Sequence, residues 1–287
     1  MAYIEIRDLI KIYETKETLV RIPALRGVEL DVNEGEFIAI IGPSGSGKTT
    51  LLQILAGMTE PSAGSIKVGD LQLDKMKEAE RRYYRRYYVG TLWQLPSRNL
   101  IWEISILDNV ELSMRLLGLP REERIKRAKE LLAEVGLEDR IHHLPKQLSG
   151  GQVQRAGLAC AIAHNPKLLL ADEPTGELDT KTANELMKYF KKLNELTGIT
   201  AILVTHDFDI AKSTQRVIQI IDGRISGYSY SSKIKTLKDM NSVYIDRFGG
   251  LQLPRHITEQ IHLQEELEVS MEDGKIILKQ EKKGMDK

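Results

Sequence analysis

Gly42-Pro43-Ser44-Gly45-Ser46-Gly47-Lys48-Thr49 fits the pattern G-x-x-x-x-G-K-[ST], and the residues on either side of it decide the fold. Before it, residues 36–41 (EFIAII) form a short, apolar, β-branched run bounded by Gly35 and Gly42. Such a run predicts a strand buried on both faces. After it, the sequence predicts a helix from Gly47 to about Ala56. Strand, glycine loop and helix in that order are the context of a phosphate-binding loop. The glycines let backbone N–H groups turn toward phosphate oxygens with no side chain in the way, and the helix adds its positive N-terminal end. Lys48 supplies a charge to the β- and γ-phosphates, and Thr49 places a hydroxyl on Mg2+.

Outward from the loop, residues 4–12 and 28–32 read as strands. Ile125, Ala128, Leu131, Leu132 and Val135 recur at helical spacing, with Gly136 as the stop. Two further apolar runs, KLLLA at 167–171 and TAILVT at 200–205, predict buried strands separated by a helix over 180–197. This β–α–β order predicts an α/β fold with a mainly parallel sheet flanked by helices. Asp172 and Glu173 end the first of these strands. An acid there can hold Mg2+ or its water, and a neighbouring Glu can polarise an attacking water as general base. His206 ends the second strand; a lone histidine after a strand is more often structural, but this strand end also faces the phosphates. Leu148-Ser149-Gly150-Gly151-Gln152 precedes another helix and makes a second backbone anion nest at a helix N-terminus. One phosphate loop does not need a second nest. Two make sense if each ATP lies between the loop of one copy and the Ser149 nest of another.

The chain of 287 residues allows one large domain, or one with a small appendage. Lys plus Arg balance Asp plus Glu at 41 each, so no global field draws it to nucleic acid or anionic lipid. Cys160 is the single cysteine, which excludes a disulfide framework, fits a reducing cytosol and reads as a buried helical thiol. No stretch reaches 18 uninterrupted apolar residues, and Met1-Ala2-Tyr3-Ile4-Glu5 does not read as a signal peptide. A cytoplasmic location is expected, with any work at the inner face of a membrane done through a partner chain. Residues 75–86 (KMKEAERRYYRR) read as a solvated helix face, and residues 225–232 (ISGYSYSS) as a loop or linker.

Taken together, these motifs resemble the nucleotide-binding subunits of ABC transporters, over roughly residues 2–227. The resemblance rests on GPSGSGKTT (ending at Thr49 and Thr50), Gln94, LSGGQ, LLLADEP, GELD ending at Asp179, and the histidine of VTHD, all in the family's order. It implies an ATPase of P-loop NTPase, ABC type, with a mainly parallel core sheet, an antiparallel β part and a helical subdomain near residues 95–163. By position it implies that Tyr13 stacks on adenine and that Gln94 reaches Mg2+ and senses the membrane partner. Ser149 and Gly151 would contact the γ-phosphate across a dimer, flanked by Gly150 and Gln152. Asp179 would hold the two sites together, Glu173 would be the catalytic base, and His206 would contact the γ-phosphate. Trp93 departs from the phenylalanine more usual before the glutamine. The stretches around residues 24–57, 95–114 and 144–155 are similar to the lipoprotein-release and macrolide-export group. That likeness implies a second copy of the chain and a separate integral membrane permease as partners, with export or mechanical transmission as the task. A permease-free ABC ATPase and a DNA-associated regulator are the alternatives.

Residues 242–279 exceed a minimal ATPase, after a linker placed at 233–241 that closes a domain of residues 1–232. Asp246, Gly249, Leu251, Leu253, Pro254 and Arg255 resemble the AbrB-like swapped-hairpin pattern, and residues 267–271 and 275–278 predict a hairpin turning at Asp273-Gly274. So short a segment rarely folds alone, so residues 242–287 are expected to act as a β-rich dimerisation module, with packing on the chain's own ATPase domain as the alternative. In residues 240–287, seven Lys/Arg face nine Asp/Glu, which argues against nucleic acid as the partner.

Overall fold

The computed structural model describes residues 2–14, 21–236, 239, 243, 253, 267–272 and 275–280. Strands β1 (Ala2–Glu14) and β2 (Arg21–Asn33) pair antiparallel, and β3 (Phe37–Ile41) runs through the glycine loop into α1 (Lys48–Leu55). Next come β4 (Ala63–Val68), β5 (Leu71–Gln72), α2 (Glu78–Tyr87), β6 (Val89–Leu92), α3 (Ile106–Leu116), α4 (Arg121–Glu134) and α5 (Gly150–Ile162). The chain continues through β7 (Leu168–Asp172), α6 (Thr180–Thr197), β8 (Thr200–Thr205), α7 (Phe208–Ala211), β9 (Arg216–Ile221) and β10 (Arg224–Tyr230). β11 (Leu267–Glu272) and β12 (Lys275–Gln280) form a two-stranded sheet of their own.

The central sheet has the order β10-β9-β3-β8-β7-β6, with all neighbours parallel except β10 on β9. A second, antiparallel sheet has the order β2-β1-β4-β5. β3 shows why its sequence has no polar position. Phe37, Ala39 and Ile41 enter one core, shared with α3 to α6, while Ile38 and Ile40 enter the other, shared with the antiparallel sheet, α1 and α2. Because β3, β7 and β8 are parallel, their carboxyl ends lie together: Ile41 pairs with Thr205, and Asp172 with Val204. That alignment brings the glycine loop, the acids after β7 and the histidine after β8 to one edge.

Two expectations change. Residues 225–232 are not a loop: Arg224–Tyr230 is an edge strand on β9. Gly and Ser have poor strand propensity, but here their small size is what the packing uses. Ile225, Ser226, Gly227 and Ser229 are all buried, and Ser226 Oγ donates to Gln219 Oε1 at 3.1 Å. The core then continues to Ile234, which is buried among the helices. Residues 75–86 are only partly a solvated face, since Arg81 and Tyr84 on α2 are buried. Cys160 lies on α5, where burial pushes its thiol up to about 12.

Of the AbrB-like pattern only Leu253 is described; Asp246, Gly249, Leu251, Pro254 and Arg255 lie outside the described residues. In the hairpin Met271 lies opposite Ile276, and Val269 is two positions along the same strand. These three share a face and are 77%, 62% and 65% exposed.

Candidate functional site

The glycine loop is held by backbone contacts from two strands. Gly47, the N-cap of α1, sits at φ +100°, and a Cβ on it would stand 2.4 Å from the Ala24 carbonyl oxygen of β2. A Cβ at Gly42 would stand 2.1 Å from the Ile220 carbonyl oxygen of β9. The Gly223 N–H donates to the Ser46 carbonyl at 3.0 Å. Pro43, Ser44 and Gly45 form the exposed crown of the loop, and Thr50 is half-buried one residue beyond Thr49. Among the described residues the buried Ser46 Oγ has no hydrogen-bond partner, a group that a phosphate oxygen would satisfy.

Lys48 is buried, and its ammonium donates to the Gly42 and Pro43 carbonyls at 2.8 and 2.9 Å. Burial lowers its pKa, opposed by the charges of Glu173 and Asp172. Thr49 Oγ1 donates to Asp172 Oδ1 at 3.3 Å, and burial raises the Asp172 carboxyl above its ordinary range. Glu173 takes a left-handed backbone, φ +48°, with its N–H on the Val204 carbonyl at 2.9 Å and its own carbonyl accepting from Gly176 at 3.1 Å. A non-glycine residue in that region is strained, and such strain clusters at functional sites. Its carboxylate meets His206: Nδ1 to Oε2 is 2.9 Å. A carboxylate only accepts, so Nδ1 carries the hydrogen and Nε2 is the nitrogen left for another partner. Lys48, Thr49, Asp172, Glu173 and His206 thus converge.

Gln94 lies on the exposed loop after β6, its amide nitrogen 3.2 Å from where a Cβ on Gly176 would stand. Two residues that the sequence reading passed over fix this loop. The Asn99 side chain accepts from the Trp93 N–H (2.8 Å) and donates to the Trp93 carbonyl (2.7 Å), and Gln154 Nε2 donates to the Gln94 carbonyl at 2.9 Å. Both act on backbone atoms, and each lies among other polar residues (Ser97 and Arg98; Gln152 and Arg155), so no signal in the sequence singles them out. Tyr13, 38% exposed, pairs across the ribbon with Ile22, two residues before the Ala24 that abuts Gly47. It therefore flanks the loop.

The LSGGQ stretch forms a different half. Ser149 caps α5, its Oγ accepting from the Gln152 N–H (3.3 Å) while Gln152 Oε1 accepts from the Ser149 N–H (2.9 Å). Gly151 is pressed on Thr182, whose Cγ2 lies 2.2 Å from where a Cβ would stand. Thr182 Oγ1 donates to Asp179 Oδ2 at 2.6 Å, and Asp179 also caps α6; these bonds hold its carboxyl below its usual range. Ser149 and Gly150 are exposed, and among the described residues no hydrogen bond joins residues 149–151 to residues 42–50.

No three His, Cys, Asp or Glu come together among the described residues as a metal cage. The oxygen pair of Thr49 and Asp172 nonetheless suits Mg2+, which takes few protein ligands beside phosphate and water. No helix among the described residues is long and apolar enough to cross a membrane.

The comparisons with known proteins agree with this geometry. A family model for ABC transporters matches residues 25–176. An uncharacterized ABC transporter ATP-binding protein of Thermotoga maritima is 46% identical over 223 residues, 78% of this chain and 93% of that one. The lipoprotein-releasing system ATP-binding protein LolD of Geobacter metallireducens is 39% identical over 222 residues, 77% and 97% of the two chains. A dimeric structure of a post-hydrolysis state of the Methanocaldococcus jannaschii ATP-binding cassette MJ0796, bound to ADP and Pi, matches with a TM-score of 0.72 at 38% identity. It covers 79% of this chain and 98% of its own. With the phosphate loop, the acid pair and the LSGGQ cap on one such cassette, this chain belongs to the ABC transporter family, as an ATP-hydrolysing, ATP-binding subunit.

Proposed function

We propose that two copies of this chain close on ATP and that the closure drives a membrane permease carried on another chain. The split of the site carries this reading. The phosphate loop and the Glu173–His206 pair lie together, whereas Ser149 and Gly150 are exposed and, among the described residues, make no hydrogen bond to the loop. A second copy completes the site by placing its Ser149 nest, with Gly151 behind it, on the γ-phosphate. Within one site, Lys48 neutralises the β- and γ-phosphates, Tyr13 stacks on adenine, Glu173 takes a proton from the attacking water and His206 Nε2 meets the γ-phosphate. Asp179 supports the seam between copies. Thr49, Gln94 and Asp172 would hold Mg2+, which when bound neutralises charge on the phosphate oxygens.

The permease is inferred from relatives such as the lipoprotein-releasing ATPase, and it would hold the chain at the inner membrane face through the Gln94 loop. Export or mechanical transmission fits that relationship, and the acidic excess of residues 240–287 argues against nucleic acid as the partner.

Mixing two dead variants tests the shared site. Lys48→Ala and Ser149→Arg are each expected to lose ATP turnover. Their heterodimer holds one intact site, made from the loop of the Ser149→Arg copy and the nest of the Lys48→Ala copy, so mixing restores a measurable fraction of phosphate release. No recovery on mixing would place the whole site within one chain.

We also propose that the C-terminal segment keeps the two copies close, on the strength of the exposed Val269, Met271 and Ile276 face. Light scattering without ATP should show the full chain as a dimer and a chain truncated after Asp239 as a monomer. A full chain as monomeric as the truncated one would remove the tether.

A further inference from the structure

The sequence Arg81-Arg82-Tyr83-Tyr84-Arg85-Arg86-Tyr87-Tyr88 is RRYY written twice. A repeat of four lies close to the helical period, so α2 sorts the pattern by face rather than by copy.

The inward residues have evident partners. Tyr84 is fully buried, and its hydroxyl donates to the Leu55 carbonyl at the end of α1, at 2.9 Å. Arg81 pairs with Glu60 and with Glu78 (3.0 Å) and donates to the Met76 carbonyl at 2.9 Å. Arg85 pairs with Glu78 at 2.8 Å and donates to the Gly57 carbonyl. Tyr88 is half-buried, its ring centroid 6.0 Å from that of Tyr84.

The outward residues have none of this. Arg82 and Arg86 are exposed, and no described carboxylate lies within ion-pair distance of either. Tyr83 and Tyr87 are 56% and 39% exposed, and their rings meet at a tilt of 34° with centroids 4.5 Å apart. The Arg86 guanidinium lies 5.7 Å over the Tyr87 ring. Lys75 and Lys77 are exposed just before the helix, while Glu78 is taken by Arg81 and Arg85, and Glu80 by the Lys77 N–H. In a chain of balanced charge this is a local positive surplus joined to two rings.

We infer that this outer face of α2 rests on an anionic phospholipid surface, with Arg82 and Arg86 on headgroup phosphates and the Tyr83–Tyr87 pair at the headgroup boundary. Guanidinium matches phosphate geometry, and tyrosine has an apolar body with a polar tip that suits a wet–apolar boundary. A single helix face is a ridge, which meets an extended surface and encloses no segment. The inference rests on the permease reading for bringing a membrane near. Gln94 lies seven positions after Tyr87, so an extended chain bounds their separation at about 25 Å. Headgroups around a permease docked at Gln94 fall within that reach.

Cosedimentation of the full chain with lipid vesicles, without any permease, tests this. Binding should be weak to phosphatidylcholine alone and rise as phosphatidylglycerol is added. Arg82→Gln with Arg86→Gln should weaken it about twenty-five-fold, about fivefold per arginine, and Tyr83→Ala with Tyr87→Ala should weaken it again. Lysine at both arginine positions should retain most of the binding. ATP turnover in vesicle-free solution should not change, and the melting temperature should hold for the arginine pair; among the described residues the one contact that leaves the patch is that of the Tyr83 ring with the Tyr88 ring, centroids 6.2 Å apart. Vesicle binding that ignores phosphatidylglycerol, or that survives loss of both arginines, overturns the inference. So does a DNA oligonucleotide bound through the same four residues with vesicles ignored, which would make the patch a nucleic-acid contact. None of these outcomes touches the two-copy site, which the mixing assay reads separately.

Discussion

Glu173→Gln is expected to lower ATP turnover by about 10²–10⁴-fold while leaving ATP binding intact. The substitution keeps the shape of the side chain and removes its ability to accept a proton from water. It also preserves the local structure, since the amide oxygen can still accept from His206 Nδ1, now at 2.9 Å from the carboxylate. The left-handed backbone at φ +48° is held by the Val204 and Gly176 bonds, which involve no side-chain atom. What changes is charge. One negative group leaves the neighbourhood of Lys48 and of any bound triphosphate, so the ATP complex gains stability as its breakdown slows. Two copies should therefore remain joined in ATP, visible by gel filtration as a dimer that ADP does not support. Phosphate release within tenfold of the parent would move the general base to another residue. A slow enzyme that stays monomeric in ATP would keep the base and remove the shared site.

The parts of the fold legible in the sequence are those where chemistry allows few residue types. The glycine loop demands Gly42 and Gly47 because carbonyls of β9 and β2 stand where a side chain would begin. β3 carries no polar residue because both its faces lie in cores. β10 was not legible. Its Gly and Ser residues are the composition of a loop, and only the partner strand β9 makes them an edge strand. α2 was half legible, since its charge is evident in the sequence, but the division into a paired inner face and an unpaired outer face depends on Glu60, Leu55 and Gly57 from other elements. At the site, the sequence places Glu173 and His206 at two strand ends, while the parallel pairing of β7 and β8 brings them into hydrogen-bond contact. Asn99 and Gln154 escaped notice because each serves the Gln94 loop through main-chain atoms, which impose no spacing on the sequence.

Gly47→Ala adds one methyl group and is expected to cost about 2–4 kcal/mol of stability, with nucleotide binding lost as well. Two effects combine. At φ +100° an L-residue is strained wherever it sits. In addition, the new Cβ would stand 2.4 Å from the Ala24 carbonyl oxygen and 2.9 Å from Leu25 Cδ2. The Leu25 methyl could rotate aside. The Ala24 carbonyl belongs to β2 and lies beside a fully buried Leu25, so either the strand or the loop must move. Movement of the loop displaces the N–H groups that turn toward phosphate, and the Lys48 ammonium with them. Gly45→Ala separates the two effects. Gly45 also has a positive φ, +78°, yet a Cβ there meets nothing within 4 Å. It should carry strain without collision and lose only about 1–2 kcal/mol. Thermal melts without nucleotide compare the two directly, at roughly 2–4 °C per kcal/mol for a domain of this size. Equal shifts would mean that the contact with β2 is not what fixes the loop; a markedly larger shift for Gly47→Ala means that the antiparallel ribbon, through Ala24, sets the position of the phosphate site.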